Sequence, residues 1–516
     1  MPELIEHPRS RSPLGTLAVV AAALLGGCSE PPEVLIPSSI TVSPAAATLE
    51  DIGDTVHLSA TVMDQHGEVM TGVAVKWLAS DPKIAVVVGN GLVRAVRHGT
   101  SSVWAFIEAV LDTTVVTVEF GPRGRLVSIY EALDGPNWVN DTNWGTAQPL
   151  DSWHGITTDA AGNVVQLLLS DNGLGGAIPP EIGLQEHLRY LDLSSNPIGG
   201  EVPPEIGDLR NLTELDLSGT SLQGGLPPEI GNLQNLETLS LVGTTLTDPL
   251  PPEIGNLRSL TSLDVAGTGL AGGAISGPIP PEFGNLENLM SLNLSANRFS
   301  GSIPPEIGNL RNLSSLSLGS NVLTGSIPPE IGNLQNLSSL SVAANRLTGS
   351  IPPEIGNLRN LRSIDLSSNR LTGSLPPEIG GLQNLRNLYL LSNRLTGSLP
   401  PEIGDLRNLR QLRLNDNELS GVPPEIGNLS SLTNLWISQN KWTGSLPPEL
   451  GKLGNLRSLW VFSNPLSGRL PVELTSLSLT AFYWSETDLC APTDDEFQEW
   501  LASIGDNLAG ENCEDG

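Results

Sequence analysis

One register position recurs through most of the chain and limits what it can fold into. Asn172, Asn196, Asn297, Asn321, Asn345, Asn369, Asn393, Asn417, Asn440 and Asn464 occupy it, and Thr220, Thr244 and Thr268 fill the gap after Asn196. Successive members stand 24 residues apart, except for 29 between Thr268 and Asn297 and 23 between Asn417 and Asn440. Around it each unit reads Leu-x-x-Leu-x-Leu-x-x-Asn, then x-Leu-x-Gly-x-Ile/Leu-Pro-Pro-Glu-Ile-Gly-x-Leu, as from Leu337 to Leu358. A unit this short buries its apolar face only by stacking on its neighbours. The pattern therefore predicts a curved solenoid with one short strand per repeat on a concave parallel sheet.

Each position has a physical task. Alternation along Leu340-Ser341-Val342 turns the two apolar side chains into the solenoid and the middle one outward. The Asn stands where the chain must turn, and its amide is expected to bond backbone groups of the neighbouring coil, as a buried polar group must. Thr offers a single donor, so the stretch holding Thr220, Thr244 and Thr268 is expected to be a softer part of the ladder. Pro179-Pro180-Glu181 and its repeats fix φ and place a carboxylate at the start of a short helical turn, where backbone N–H groups are free.

The Leu-x-Gly-x-Ile-Pro signature resembles plant-type leucine-rich repeats over residues 164–489. Ahead of them, Gly135-Pro136-Asn137-Trp138, Asn143-Trp144 and Trp153-His154-Gly155-Ile156 resemble the N-terminal cap of such arrays and place it at 121–163, without the paired cysteines of plant caps. At the other end, residues 490–516 carry Phe497, Trp500, Leu501 and Ile504 in an amphipathic helical pattern able to cover the last coil.

Upstream the composition changes. Arg9 and Arg11 precede the apolar run Leu17 to Leu25, which is too short for an ordinary bilayer span. It ends in Leu25-Gly26-Gly27-Cys28, which resembles the lipobox of bacterial lipoprotein signal peptides. The resemblance implies that residues 1–27 are removed, that Cys28 is the lipid attachment site, and that 28–39 form a polar tether. A simple secretory signal is the alternative. Of the three Cys, that leaves Cys490 and Cys513 for a disulfide in an oxidising compartment, with free buried thiols as the other reading.

Residues 40–120 contain seven short runs rich in β-branched residues, separated by turn residues such as Asp81-Pro82 and Gly89-Asn90-Gly91. Their spacing predicts a small sandwich of two antiparallel sheets with Trp77 and Trp104 in its core. Ile40-Thr41-Val42-Ser43-Pro44, Ser80-Asp81-Pro82, Asn90-Gly91-Leu92-Val93 and His98-Gly99-Thr100 resemble the bacterial immunoglobulin-like group 2 domain. That resemblance implies a spacer or an adhesive module. The fold class expected for the whole chain is thus mixed, an immunoglobulin-like β-sandwich followed by a leucine-rich repeat solenoid.

Charge and motif content narrow the function. With 26 Lys and Arg against 56 Asp and Glu the formal charge is −30, which repels phosphate backbones and anionic bilayers. Nucleic acid is therefore excluded as a partner, and membrane association is expected through the lipid alone. All six His lie at or before His187, and no His-Glu-x-x-His, Ser/His/Asp constellation or P-loop occurs, so no catalytic residue, metal site or cofactor is expected. Gly267-Thr268-Gly269-Leu270-Ala271-Gly272 matches a dinucleotide fingerprint only in letters, because it follows a repeat strand and leads into the five-residue insertion. The Glu ladder from Glu181 to Glu473 reads as a solvated ridge.

The outward residue of each strand carries the remaining information. It runs Leu168, Asp192, Asp216, Ser240, Asp264, Asn293, Ser317, Ser341, Asp365, then Tyr389, Arg413, Trp436 and Trp460, with Phe462 two residues beyond and facing the same way. Aromatic residues with an Arg dominate recognition surfaces and can also stack on sugar faces. Tyr389, Arg413, Trp436, Trp460 and Phe462 are accordingly the candidate ligand-binding residues for an extracellular protein, peptide or glycan. The alternative is that the C-terminal cap folds over Trp460 and Phe462. The expected whole is a lipid-anchored binding protein of the bacterial cell envelope, facing the periplasm or the exterior. Its rivals are a passive stalk or adhesive envelope protein and, far behind, an enzyme.

Overall fold

The computed structural model describes residues 33–50, 53–119, 121–267 and 274–513. Cys28, Thr268 and residues 269–272 lie outside them. The chain divides into two compact units between Glu119 and Phe120. Among the described residues no helix is long and apolar enough to cross a membrane.

The first unit is built of short strands. Ala46–Leu49, Val110–Val118, Gly99–Ile107 and Lys76–Ala79 form a four-stranded sheet, and Thr55–His57, Leu92–Ala95 and Ala85–Val87 a three-stranded one. Pro37–Ser43 pairs with Ser59–Asp64. Pairing is antiparallel except that Ala46–Leu49, a strand its Ala-rich sequence did not announce, runs parallel to Val110–Val118. Val103, Ala105, Val116 and Val118 are fully buried. Both tryptophans are half-buried, and while Trp77 stands on the interior face opposite Ala105, Trp104 departs from expectation. Trp104 pairs with Leu78 and Thr113 on the face opposite Val103 and Ala105, because alternation along the strand assigns the interior to its neighbours.

The second unit is a solenoid of repeated coils around a 16-stranded sheet. Ile156–Thr158 pairs antiparallel with Val164–Leu168, closing one end. From there the strands run parallel, one per coil, through Ser458–Trp460 and on to Ala481–Tyr483 and Asp506–Leu508. The sheet thus continues into residues that read as cap in the sequence. Register is strict, Leu316 opposite Leu340, Ile364 and Leu388, and each of these is 0–1% exposed. The coils return through five-residue 3-10 helices such as Pro329–Asn333, opened by the Pro-Pro pair, with Pro471 alone before the last of them, Val472–Ser476.

Two Asn ladders bind coil to coil. Buried Asn321 accepts from the Phe299 N–H at 2.9 Å and donates to the carbonyls of Leu294, Leu318 and Gly319 at 3.0 to 3.2 Å. The residue before it, Ser320, is left-handed at φ 57, as are Ala344, Ser368 and Ser392 before their Asn. Such a conformation costs about 1–2 kcal/mol for a residue with a Cβ, which the amide bonds offset. Thr220 and Thr244 instead donate within their own coil, to the carbonyls of Leu217 and Leu241, and there the left-handed residues are Gly219 and Gly243. The second ladder lies at the exposed start of each coil, where Asn312, Asn336 and Asn360 donate to the carbonyls of Glu287, Arg311 and Gln335 at 2.8 to 2.9 Å. The repeated Gly of the 3-10 turn allows the close stacking, for a Cβ on Gly332 would stand 2.5 Å from the Glu354 carbonyl oxygen.

Both ends are covered. Helix Pro122–Ala132 buries Leu126 and Ile129 on the first coil, and Tyr130, Trp138, Trp144 and Trp153 pack against one another at 4.9 to 5.7 Å. At the far end helix Asp495–Ala502 is capped by the Asp494 side chain and buries Phe497 and Leu501, while Trp500 donates to the Leu477 carbonyl at 2.9 Å. Cys490 and Cys513 form a disulfide.

Candidate binding face

The parallel register places Tyr389, Arg413, Trp436, Trp460 and Tyr483 side by side on successive strands of the concave sheet. Every one is half-buried, and their neighbours are one another. The Arg413 guanidinium lies 5.0 Å from the Tyr389 ring centroid and 4.0 Å from that of Trp436. Trp436 and Trp460 stack at 3.8 Å with an interplanar angle of 3°, and Tyr483 continues the stack at 5.1 Å from Trp460. Phe462 packs obliquely on Trp460 and Tyr483. At about 4.8 Å per strand the strip spans about 19 Å along the solenoid.

Polar groups fix the rings. Gln411 Oε1 accepts from the Tyr389 hydroxyl at 2.9 Å and from Arg413 Nη2 at 3.0 Å, and Ser458 Oγ accepts from Trp436 Nε1 at 3.1 Å. Both supporting residues lie two positions before an outward residue of the strip, where a period of two puts them on the same face. The sequence reading passed over them because polar residues at that column occur throughout the array. Tyr483 donates its hydroxyl to Asp506, and that bond to a carboxylate pushes its pKa up. Arg413 Nε, Trp460 Nε1 and Asn415 Oδ1 are buried without a hydrogen-bond partner.

The cap helix does not lie over this strip. Its contacts are with the inward-facing Phe482, through Trp500 at 6.1 Å, and Trp484 stacks on Phe482 from the same side. Further up the face, the outward acids turn to their own coil: Asp192 Oδ1 accepts from the Ser194 N–H and hydroxyl at 2.9 and 2.6 Å, and Asp216 does the same with Ser218. A separate open groove of 550 Å³ runs along the edge of the first coils, past Asp159, His187, Arg189, Thr213 and Glu237, and shares no residue with the aromatic strip. Among the described residues no group of three or more His, Cys, Asp or Glu is placed to hold a metal ion.

Comparison with known proteins agrees with the repeat architecture. A leucine-rich repeat region model matches residues 172–268 and 352–476, and a second leucine-rich repeat model matches 288–310, 312–334 and 336–358. The PEPR1-AtPEP1 structure is 33% identical at a TM-score of 0.62, over 72% of this chain and 55% of that one, so the chain spans little more than half its length. The Arabidopsis receptor kinase HAESA, solved with the peptide hormone IDA and the co-receptor SERK1, is 31% identical at a TM-score of 0.58, over 75% of this chain and 70% of that one. The Leptospira interrogans leucine-rich repeat protein LIC12759 is 36% identical at a TM-score of 0.53, over 64% of this chain and 81% of that one. No curated protein sequence matches significantly.

Proposed function

The chain belongs to the leucine-rich repeat family, and on that premise we propose that its concave face binds a protein or peptide through Tyr389, Arg413, Trp436, Trp460, Phe462 and Tyr483. The observation that carries the proposal is the switch, at one outward register position, from small and acidic residues to a continuous aromatic and Arg strip on the open side of the sheet. From Tyr389 to Trp460 the inward residues remain aliphatic, Leu388 and Leu390 at one end and Leu459 and Val461 at the other, so core packing does not demand it. HAESA, a relative of similar repeat geometry, is captured with a peptide hormone, which supports a peptide or protein as the class of ligand.

Glycan stacking is the weaker reading. A sugar stacks on a ring face, and both faces of Trp436 are taken, one by Arg413 and the other by Trp460. What the strip presents to a ligand is ring edges, the Tyr483 and Gln411 polar atoms and the guanidinium, a set suited to backbone carbonyls and side chains. A passive stalk would not require the switch at all.

Around this function we place an extracytoplasmic, lipid-anchored protein of a bacterial envelope, held by Cys28, with residues 40–120 as an immunoglobulin-like spacer. The lipobox-like Leu25 to Cys28 and the disulfide support that setting. In a capture experiment with the full chain, Trp436→Ala should weaken binding by about 2 kcal/mol, whereas Ser317→Ala should not change it. Unchanged affinity in the Trp436 variant would refute the strip. Cys28→Ser should move the protein from the membrane fraction to the soluble one, and a variant that still pelleted after a high-salt wash would refute the anchor.

A further inference from the structure

In a chain of net charge −30, one segment has the opposite sign. Residues 359–413 hold Arg359, Arg362, Arg370, Arg386, Arg394, Arg407, Arg410 and Arg413 against only Asp365, Glu378, Glu402 and Asp405. These are the coils where the aromatic strip begins.

Three of these Arg form a column. The Arg386 N–H donates to the Arg362 carbonyl and the Arg410 N–H to the Arg386 carbonyl, each at 2.8 Å, so the three backbones stand on adjacent coils about 4.8 Å apart. Arg359 and Arg407 lie three residues before Arg362 and Arg410, and all five are exposed. Among the described residues, none of the five side chains makes an ion pair or a hydrogen bond.

The repeat does not need them. The same column carries Thr261, Met290, Ser314 and Ser338 in the preceding coils, and Thr433 just after. Like charges side by side destabilise a sheet, so an uncompensated row of three is unfavourable until something anionic covers it. The column runs parallel to the aromatic strip, three residues or about 10 Å to one side along the strands, within reach of one extended ligand.

We infer that the Arg362–Arg386–Arg410 column and the aromatic strip together take an acidic peptide segment, its carboxylates on the guanidinium groups and its other side chains against the ring edges. This rests on the concave-face reading above and adds the chemistry of the partner. A bilayer or a long nucleic acid would meet the acidic remainder of the chain as well. A short peptide meets only the local field, because charges beyond about 8 Å are screened at physiological salt.

The test is selection of a displayed random dodecapeptide library on the full chain, on the triple variant Arg362→Ser/Arg386→Ser/Arg410→Ser, and on Trp436→Ala. Ser is already present at this column in Ser314 and Ser338, so the triple variant should fold, and a thermal melt checks that it does. Peptides selected on the unmodified chain should be rich in Asp and Glu, should bind the triple variant at least about tenfold more weakly, and should lose affinity with added salt. Neutral or basic peptides that still depend on Trp436 would overturn the acidic partner and leave the strip standing. Acidic peptides indifferent to Trp436→Ala would overturn the strip, and with it the joint site. No selection above the background of Trp436→Ala would overturn both. Equal Arg-dependent binding of a twelve-nucleotide single-stranded DNA or of phosphatidylserine vesicles would overturn the peptide assignment.

Discussion

The coils around Thr220 and Thr244 and those from Asn297 to Asn464 share one backbone and use their side chains in opposite ways. In the first group the ladder residue bonds only its own coil, and the left-handed position is relieved by Gly219 and Gly243. In the second the Asn amides tie coil to coil and hold Ser320, Ala344 and Ser368 left-handed. Over its last coils the outward column carries the aromatic strip, where Tyr389, Trp436 and Tyr483 each bond a side chain of the next coil. A stiff ladder behind the sheet keeps adjacent rings in fixed register, as the proposed binding face, made of side chains from five coils, would require.

The contrast is open to measurement, and the largest effect should come from the ladder. Asn345→Ala removes an acceptor for the Leu323 N–H and a donor to the carbonyls of Leu318, Val342 and Ala343, and should cost about 4 kcal/mol in chemical denaturation. Thr220→Ala should cost about 1 kcal/mol, one bond inside its own coil. Equal losses at the two sites would remove the distinction between the regions.

Next in size is the terminal bridge. Reducing Cys490–Cys513 should cost about 3 kcal/mol and appear in hydrogen exchange as fraying from the C-terminal coils inward, since repeat stability sums local and nearest-neighbour terms. Uniform loss of protection along the array would contradict a coil-by-coil account.

Trp436→Ala comes third. The ring is half-buried between Arg413 and Trp460, so its removal should lower stability by about 1–2 kcal/mol, well short of the loss from a fully buried tryptophan. A loss of 4 kcal/mol or more would mean that the strip is core.

Smallest, and sharpest for the comparison, is a double-mutant cycle in the Thr coils. Gly219→Ser alone should cost about 1–2 kcal/mol from the left-handed backbone. With Thr220→Asn in the same chain the cost should shrink, because the new amide supplies the bonds found beside Ser320 and Ser368. Strict additivity of the two changes would show that the Gly and Thr pairing in these coils has no energetic basis.

Much of the architecture was legible in the letters, and the reasons are particular. Leu340-Ser341-Val342 states its facing by alternation, and the Asn ladder states the coil length. Trp138 and Trp153 mark a cap because aromatic residues there have no repeat position to fill. Other features were legible and passed over: Gly before Thr at 219, 243 and 267 accompanies each loss of the Asn, and the second Asn, as in Asn312 and Asn336, recurs almost as often as the first. Trp104 was misplaced for a plain reason, since a large apolar residue in a β run suggests interior, while Val103 and Ala105 on either side had already claimed it.

The sequence by itself determined the period, the strand in each coil, the inward Leu columns and the outward order from Asp192 to Trp460. Those are consequences of local geometry, in which a residue's direction follows from its place in a strand and each coil repeats its neighbour. Only the tertiary structure decided that Arg413 and Trp460 cover the two faces of Trp436, that the cap helix packs against Phe482 and leaves the strip uncovered, that the sheet runs on through Asp506–Leu508, and that Arg362, Arg386 and Arg410 stand in one row without counterions. Each of these depends on side chains about one coil apart in sequence meeting in space, where ring orientation and partner choice are set by the stacking of coils and by nothing within a single one.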